Sequence, residues 1–130
     1  MNKQVVFYFA GAINSHDVDR ICSMMTEEHT FVDAHGNRVE GRDKMKAGWN
    51  AYFQLFPDYH IELTDIFENN GTVAAFGFAG GTYKGYKTPN NQNYWRLPAA
   101  WKAIVEDGKI KLWQVYADTK VVFEVMGKNG

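Results

Sequence analysis

The stretch DYHIELTDIFENNGTVAAFGFAGGTY, residues 58–83, decides the fold. In its first half Ile61, Leu63 and Phe67 alternate with Glu62, Thr64 and Glu68, the period of two that marks a half-buried strand. Asn70-Gly71 then reads as a two-residue hairpin, since the turn that best matches strand twist needs positive φ at both central positions. Thr72–Tyr83 is the return strand, and Gly77, Ala79, Gly80 and Gly81 leave room in it for a bend or for close approach of another group. Lys84–Asn93, polar and holding Pro89, is a loop. Tyr94–Glu106 and Lys109–Ala117 are two further long strands, joined at the hairpin signal Asp107-Gly108. The second half of the chain is therefore a four-stranded meander.

Upstream of residue 58 the period is helical. Val5, Val6, Phe9, Ala10 and Ile13 form one apolar stripe, and Val18, Ile21, Cys22 and Met25 form a second after a break at Asn14-Ser15. Thr30–Val32 reads as a short strand, with turn residues from Asp33 to Asn37. A third helix covers Arg42–Phe56, with Met45, Trp49, Tyr52, Phe53 and Phe56 on one face, and Pro57 ends it by driving the preceding residue out of helical geometry. Val121, Val122, Val125 and Met126 suggest a short last helix. Helices grouped before an antiparallel run predict an α+β cone, three N-terminal helices packed on a curved, mostly antiparallel sheet, in a single domain over residues 1–130.

Composition narrows the function classes. The 130 residues are 45% hydrophobic and 15% aromatic, which argues against disorder. Fourteen basic residues face fifteen acidic ones, so neither a nucleic-acid partner nor an anionic membrane surface is expected. The longest apolar run, Val5–Ile13, is too short to span a bilayer and reads as a buried helix. Cys22 is the lone cysteine and lies on an apolar stripe, which makes it a buried thiol and places the chain in a reducing compartment, the cytoplasm. No histidine pair has ligand spacing, so no metal site is expected.

Several words of the sequence, in order, carry a resemblance: Asn14-Ser15-His16-Asp17, Gly41-Arg42, Phe56-Pro57-Asp58, Gly81-Thr82-Tyr83-Lys84-Gly85, Asp107-Gly108-Lys109-Ile110 and Trp113 to Asp118. With these the chain resembles the nuclear-transport-factor-2-like superfamily, and within it the SnoaL-like polyketide cyclase branch, with ketosteroid isomerases as related members. The resemblance implies a small cofactor-free enzyme that binds a hydrophobic or aromatic carbonyl compound. Isomerisation, cyclisation or dehydration would then run on an aspartate as general acid/base. The fold also hosts non-catalytic ligand-binding proteins, so that reading stands beside the first. Epoxide hydrolysis would need an Asp-Arg-Asp relay, and Arg96 is the single arginine on the late strands.

Two aspartates are candidates. Asp33 stands where the isomerases carry their base, and burial at the mouth of an aromatic pocket would raise its pKa; it also fits a plain turn role before Gly36. Asp118 stands where the cyclases carry theirs, and it also fits a helix N-cap. Strand parity groups Asp118 with Leu112, Gln114 and Tyr116, opposite Trp113, Val115 and Ala117. The histidine that cyclases carry on the preceding strand is missing from Ala99-Ala100-Trp101-Lys102-Ala103. The expected substrate-binding set is His35, Trp49, Phe53, Tyr59, His60, Phe78, Tyr83, Trp101, Trp113 and Tyr116 around a small hydrophobic ligand. His16 and His29 read as surface positions at helix ends. An outer sheet face carrying Leu97, Ile104, Leu112 and Tyr116 is too apolar for solvent and predicts a homodimer.

Overall fold

A computed structural model describes residues 1–84 and 93–129. The elements run α1 (Asn2–Asn14), α2 (Val18–Ser23), β1 (Met25–Val32), β2 (Arg38–Glu40), α3 (Arg42–Leu55), β3 (His60–Asn69), β4 (Thr72–Thr82), β5 (Tyr94–Glu106), β6 (Lys109–Tyr116) and α4 (Lys120–Asn129). The six strands form one sheet in the order β2-β1-β6-β5-β4-β3. All neighbours are antiparallel except β1 and β6. The meander and the α+β arrangement of helices against the sheet are as the sequence predicts, while most of the predicted Lys84–Asn93 loop lies outside the described residues.

Both hairpins have the expected turn geometry. Asn70 and Gly71 sit at φ 50° and 84°, Asp107 and Gly108 at 52° and 77°. Positive φ at both central residues follows the right-handed twist of the strands. Gly41 opens α3 at φ 106°, where a side chain is rarely tolerated, and its N–H donates to the His29 carbonyl at 2.8 Å. That bond fixes the start of α3 to β1. Gly77 matters for another reason: a Cβ built there would lie 1.7 Å from the Glu62 carbonyl oxygen, so the close approach of β3 to β4 requires glycine.

The structure corrects the sequence reading in three places. Met25 begins β1 rather than ending α2. The Ile110 N–H donates to the Met24 carbonyl at 2.7 Å, and this draws the chain into the parallel ladder with β6 one turn earlier than its apolar spacing suggests. β2 was not anticipated from sequence; it is a three-residue strand on the edge of β1. On β3 the register shifts between Leu63 and Asp65, and the Thr64 hydroxyl donates to the Phe76 carbonyl at 3.1 Å. A bulge reverses parity downstream. Ile66 therefore packs on the core while Phe67 is exposed.

The core lies between the concave face of the sheet and the helices. α1 supplies Val6, Phe9, Ala10 and Ile13, and the sheet supplies Val73, Ala75, Trp101, Ala103, Ile110 and Trp113. Phe9 meets Trp113 edge-on at 4.9 Å, and Trp113 stacks on Trp101 at 6.2 Å. Each such ring contributes a few kcal/mol through burial alone. Cys22 is buried in this core, as expected, and burial is the main cause that pushes its thiol up, so it is not a poised nucleophile.

His29 is also in the core rather than on the surface. It is fully buried, and its Nδ1–H donates to the Ile110 carbonyl at 2.8 Å, leaving Nε2 without a partner. Burial lowers its pKa more than the Ile110 carbonyl raises it, so the ring is neutral. His16 is half-buried. Its Nε2–H donates to the Tyr59 carbonyl at 2.6 Å and its ring stacks on Phe53 at 4.1 Å. Both histidines tie segments together across long sequence separations, which their place at the ends of helices did not suggest.

Candidate functional site

Beyond the core, the concave face opens into a cavity of about 380 Å³. The reason lies in the side chains that face it. The sheet presents Ala79 and Ala99 toward α3 and α4, the residue after β6 adds Ala117, and nothing from the helices reaches down far enough to replace the missing volume. α3 contributes Met45, Trp49, Tyr52 and Leu55 from a stripe at helical spacing, and the turn after it adds Phe56 and Tyr59. α4 closes one side with Val122, Phe123 and Met126. The lining is almost wholly apolar. Asp33 is its one carboxylate and His35 its one imidazole, and it includes no lysine or arginine among the described residues. The volume is in the range of small-molecule sites.

Four of the ten expected binding residues line the cavity: His35, Trp49, Tyr59 and Trp113. The other six do not. Phe53 lies behind the wall, sandwiched between His16 and Trp49 at 4.1 and 5.4 Å. His60 sits at the sheet edge, its Nδ1 3.2 Å from the Asp58 carbonyl. Phe78 points to the convex face, where the Arg96 guanidinium lies 3.9 Å over its ring; parity gives the cavity its neighbour Ala79 instead. Tyr83 packs beside Phe56 at 6.1 Å. Trp101 is inward but sealed in the core under α1. Tyr116 is half exposed on the convex face. Sequence reasoning passed over Tyr52, Trp95 and Leu97 as lining. Tyr52 was already on the α3 stripe one turn from Trp49, and Trp95 and Leu97 share the parity of Trp101, so the signal was present.

Parity also settles the place of Asp118. Trp113, Val115 and Ala117 line the cavity, so Asp118 continues the opposite, convex set and is exposed. Its Oδ1 accepts the Lys120 N–H at 3.0 Å, satisfying one of the free donors at the start of α4. The N-cap position itself belongs to Thr119, whose carbonyl accepts the Val122 and Phe123 N–H groups at 3.0 and 3.2 Å, so Asp118 sits one residue before the cap expected of it and stands apart from the cavity.

Asp33 does reach the cavity, at its rim, but its carboxylate is already engaged. Oδ1 accepts the His35 N–H at 2.8 Å and the Asn37 N–H at 2.9 Å, and Oδ2 accepts the Asn37 Nδ2–H at 3.1 Å. Partial burial pushes its pKa up, but the bonds from Asn37 and His35 together outweigh that and leave it below the ordinary carboxylate value. The expected elevation is therefore reversed, because three donors favour the charged form. The turn that Asp33 holds in place presents His35, whose Nε2 lies 2.8 Å from the Thr119 hydroxyl and whose ring meets Phe123 edge-on at 5.4 Å. Through that pair the β1–β2 turn is joined to α4 across the cavity mouth.

The aromatic wall has its own polar chemistry. The indole N–H groups of Trp49 and Trp95 are buried without a hydrogen-bond partner. Burial pushes the Tyr52 and Tyr59 phenols upward from their ordinary value, and the neighbouring Tyr52 phenol raises Tyr59 further, so both remain protonated donors at neutral pH. No group of three or more His, Cys, Asp or Glu that could hold a metal occurs among the described residues. Among the described residues, no helix is long and apolar enough to cross a membrane.

Comparisons with known proteins agree on the architecture. A protein of ketosteroid isomerase-like fold from Catenulispora acidiphila, solved in complex with trimethylamine, superimposes with a TM-score of 0.82 at 20% identity, over 95% of this chain and 92% of that one. A Shewanella denitrificans protein provisionally assigned as a SnoaL-like polyketide cyclase gives 0.82 at 11% identity, over 98% of both chains. An LEH-like epoxide hydrolase from M. tuberculosis gives 0.79 at 14% identity, over 98% of this chain and 90% of that one. At these identities the likeness is one of fold, the nuclear-transport-factor-2-like cone, and it carries no activity over to this chain. No curated protein matches the chain in sequence. A family profile, the SnoaL-like domain, matches residues 5–113, and the chain therefore belongs to the SnoaL-like domain family.

Proposed function

We propose that this chain holds a small, largely apolar carbonyl compound in the cavity between α3, α4 and the sheet. The observation that carries the reading is the lining itself: about 380 Å³ of space walled by aromatic and aliphatic side chains, with a few convergent polar groups. The trimethylamine complex of the Catenulispora protein supports small-ligand binding by this fold, by analogy alone. Trp49, Trp95 and Trp113 all line the cavity, so occupancy should change tryptophan emission. Titration with small aromatic ketones should give saturable quenching at one site per chain. Phe123→Asp, which sets a charge against the apolar wall at an exposed position, should weaken it at least tenfold without unfolding the chain. Unsaturable quenching in the wild type would exclude the site.

A second reading adds chemistry, because Asp33 is the one carboxylate on the lining among the described residues. It would take a proton from the carbon beside the ligand carbonyl and return it, an isomerisation that needs no metal or nucleotide. Its low pKa makes it a weak base, which is why binding alone is the first reading. Deuterium exchange at that carbon in heavy water, followed by NMR, separates the two. Wild-type exchange that Asp33→Asn abolishes favours catalysis; no exchange above solvent favours binding.

The convex face supports a homodimer. Phe76, Tyr94 and Tyr116 are each at least 40% exposed there, beside the half-buried Ile104 and Leu112. Leu97, expected on this face, points into the cavity instead. Sedimentation should give a dimer that Tyr116→Lys converts to monomer.

A further inference from the structure

The wall of the cavity contributed by α3, the turn after it and β5 carries four ring donors in a continuous arc. Trp49 meets Tyr52 at 6.3 Å, Tyr52 meets Tyr59 at 4.8 Å, and Tyr59 meets Trp95 at 6.2 Å. All four line the cavity. Among the described residues, neither phenol hydroxyl has a hydrogen-bond partner, and neither indole N–H has one either. Trp49 and Trp95 are more than nine-tenths buried, so water does not serve them. An indole can only donate, and an unmet buried donor is costly, so the wall is short of acceptors. The remaining polar groups of the lining are used elsewhere. Asp33 is bound to Asn37 and His35, and His35 to Thr119, at the opposite rim.

We propose that this arc is an acceptor-recognition site, in which the Tyr52 and Tyr59 hydroxyls donate together to one neutral oxygen of the ligand. A carbonyl oxygen has two lone pairs and can accept both. The ligand class is therefore a neutral, planar, mostly hydrocarbon molecule with a carbonyl at one end. A carboxylate is disfavoured, because among the described residues no lysine or arginine lies on the lining to balance its charge. The indoles, which only donate, offer nothing to a ligand whose polar end is a donor. The phenols set this specificity by what they donate, and the apolar remainder of the wall sets only size. The ketone specificity rests on the ligand-binding reading above and deepens it.

The test uses a matched pair, 1-tetralone and tetralin, which share a fused ring skeleton and differ in the carbonyl. Equilibrium dialysis measures both against the wild type, Tyr52→Phe, Tyr59→Phe and the double variant, with tetralin affinity as each variant's internal reference. The wild type should prefer the ketone by about tenfold, the worth of two modest hydrogen bonds. Each single variant should lose part of that preference, and the double variant should bring the ratio close to one. Tetralin bound as tightly as tetralone by the wild type would overturn the acceptor site and leave the cavity reading intact. A ketone preference that survives in the double variant would also overturn it. Binding of neither compound would defeat the ligand-binding reading itself, and the acceptor site with it.

Discussion

Under α1, Phe9, Trp101 and Trp113 close on one another until each is at most 2% exposed. Under α3 and α4, Trp49, Tyr52, Tyr59 and Trp95 also touch in sequence, yet they border about 380 Å³ of open space. The residue types are alike at the two ends. What differs is how the helix meets the sheet. α1 lays a run of small and large side chains across β3 to β6 and fills the volume, whereas α3 contacts β1 and α2 and stands off from the central strands. The alanines at 79, 99 and 117 then face nothing that could replace their missing atoms. Ring content by itself does not distinguish a core from a pocket; the distance between helix and sheet does.

The largest test of this contrast is a truncation at each end. Phe9→Ala should cost about 3–5 kcal/mol, because the packed end cannot relax into the gap. Leu55→Ala, at a residue that lines the hollow end and is 40% exposed, should cost less than about 1 kcal/mol. Urea unfolding of both variants decides it. Equal costs would mean that the cavity walls are as tightly coupled as the core.

That contrast also shows how much of the molecule could be read beforehand. Asn70-Gly71, Asp107-Gly108 and Pro57 punctuate the chain by backbone geometry, which depends on the local residue alone, and the elements they bound were legible. The parity of β3 beyond Leu63 was not, because the Thr64 bulge arises from its pairing with β4, and neither was the face that the regular strand β4 turns to the cavity, which partners distant in sequence decide. Phe78 and Ala79 exchange roles on that account. The cavity lining was partly legible through the α3 stripe, while the role of Asp33 was not. Its type suited either a base or a turn, and only the positions of the Asn37 and His35 donors decide which form it favours.

Asp33 offers the next test, at the mouth of the hollow end. Asp33→Ala hands three exposed donors over to water and should cost about 0.5–1.5 kcal/mol. Its folded pKa lies below the unfolded value of 3.8, so its contribution is present above pH 3.8 and is lost as pH falls through the folded value. The acid limb of the wild-type stability curve should therefore be steeper than that of the variant. A parallel acid limb would mean that the carboxylate is not held by the turn.

His29 makes the corresponding test at the packed end, in a different pH window. Its folded pKa lies below the ordinary histidine value of 6.5, so the unfolded chain binds a proton that the folded chain refuses. Stability is full above pH 6.5 and declines as pH drops below it, by at most about 1.4 kcal/mol per pH unit. His29→Gln removes the slope between pH 6.5 and 5. A slope that survives the substitution would have to come from another group.

The smallest effect is expected at Asp118, and its size is informative when set beside Asp33. Both aspartates accept backbone N–H groups next to the cavity-closing elements, but Asp118 is exposed and accepts a single bond, one residue before the N-cap position of α4. Asp118→Ala should cost about 0.5–1 kcal/mol. Ligand affinity should stay within twofold of wild type, since the side chain faces away from the lining. Asp33→Ala, by contrast, should weaken binding more than its stability cost suggests, because it releases the turn that carries His35 to Thr119 across the mouth. Equilibrium dialysis with 1-tetralone reads both variants. If Asp118→Ala is the more damaging to binding, then α4 rather than the β1–β2 turn sets the mouth, and the tie between His35 and Thr119 would be holding the turn in place rather than the helix.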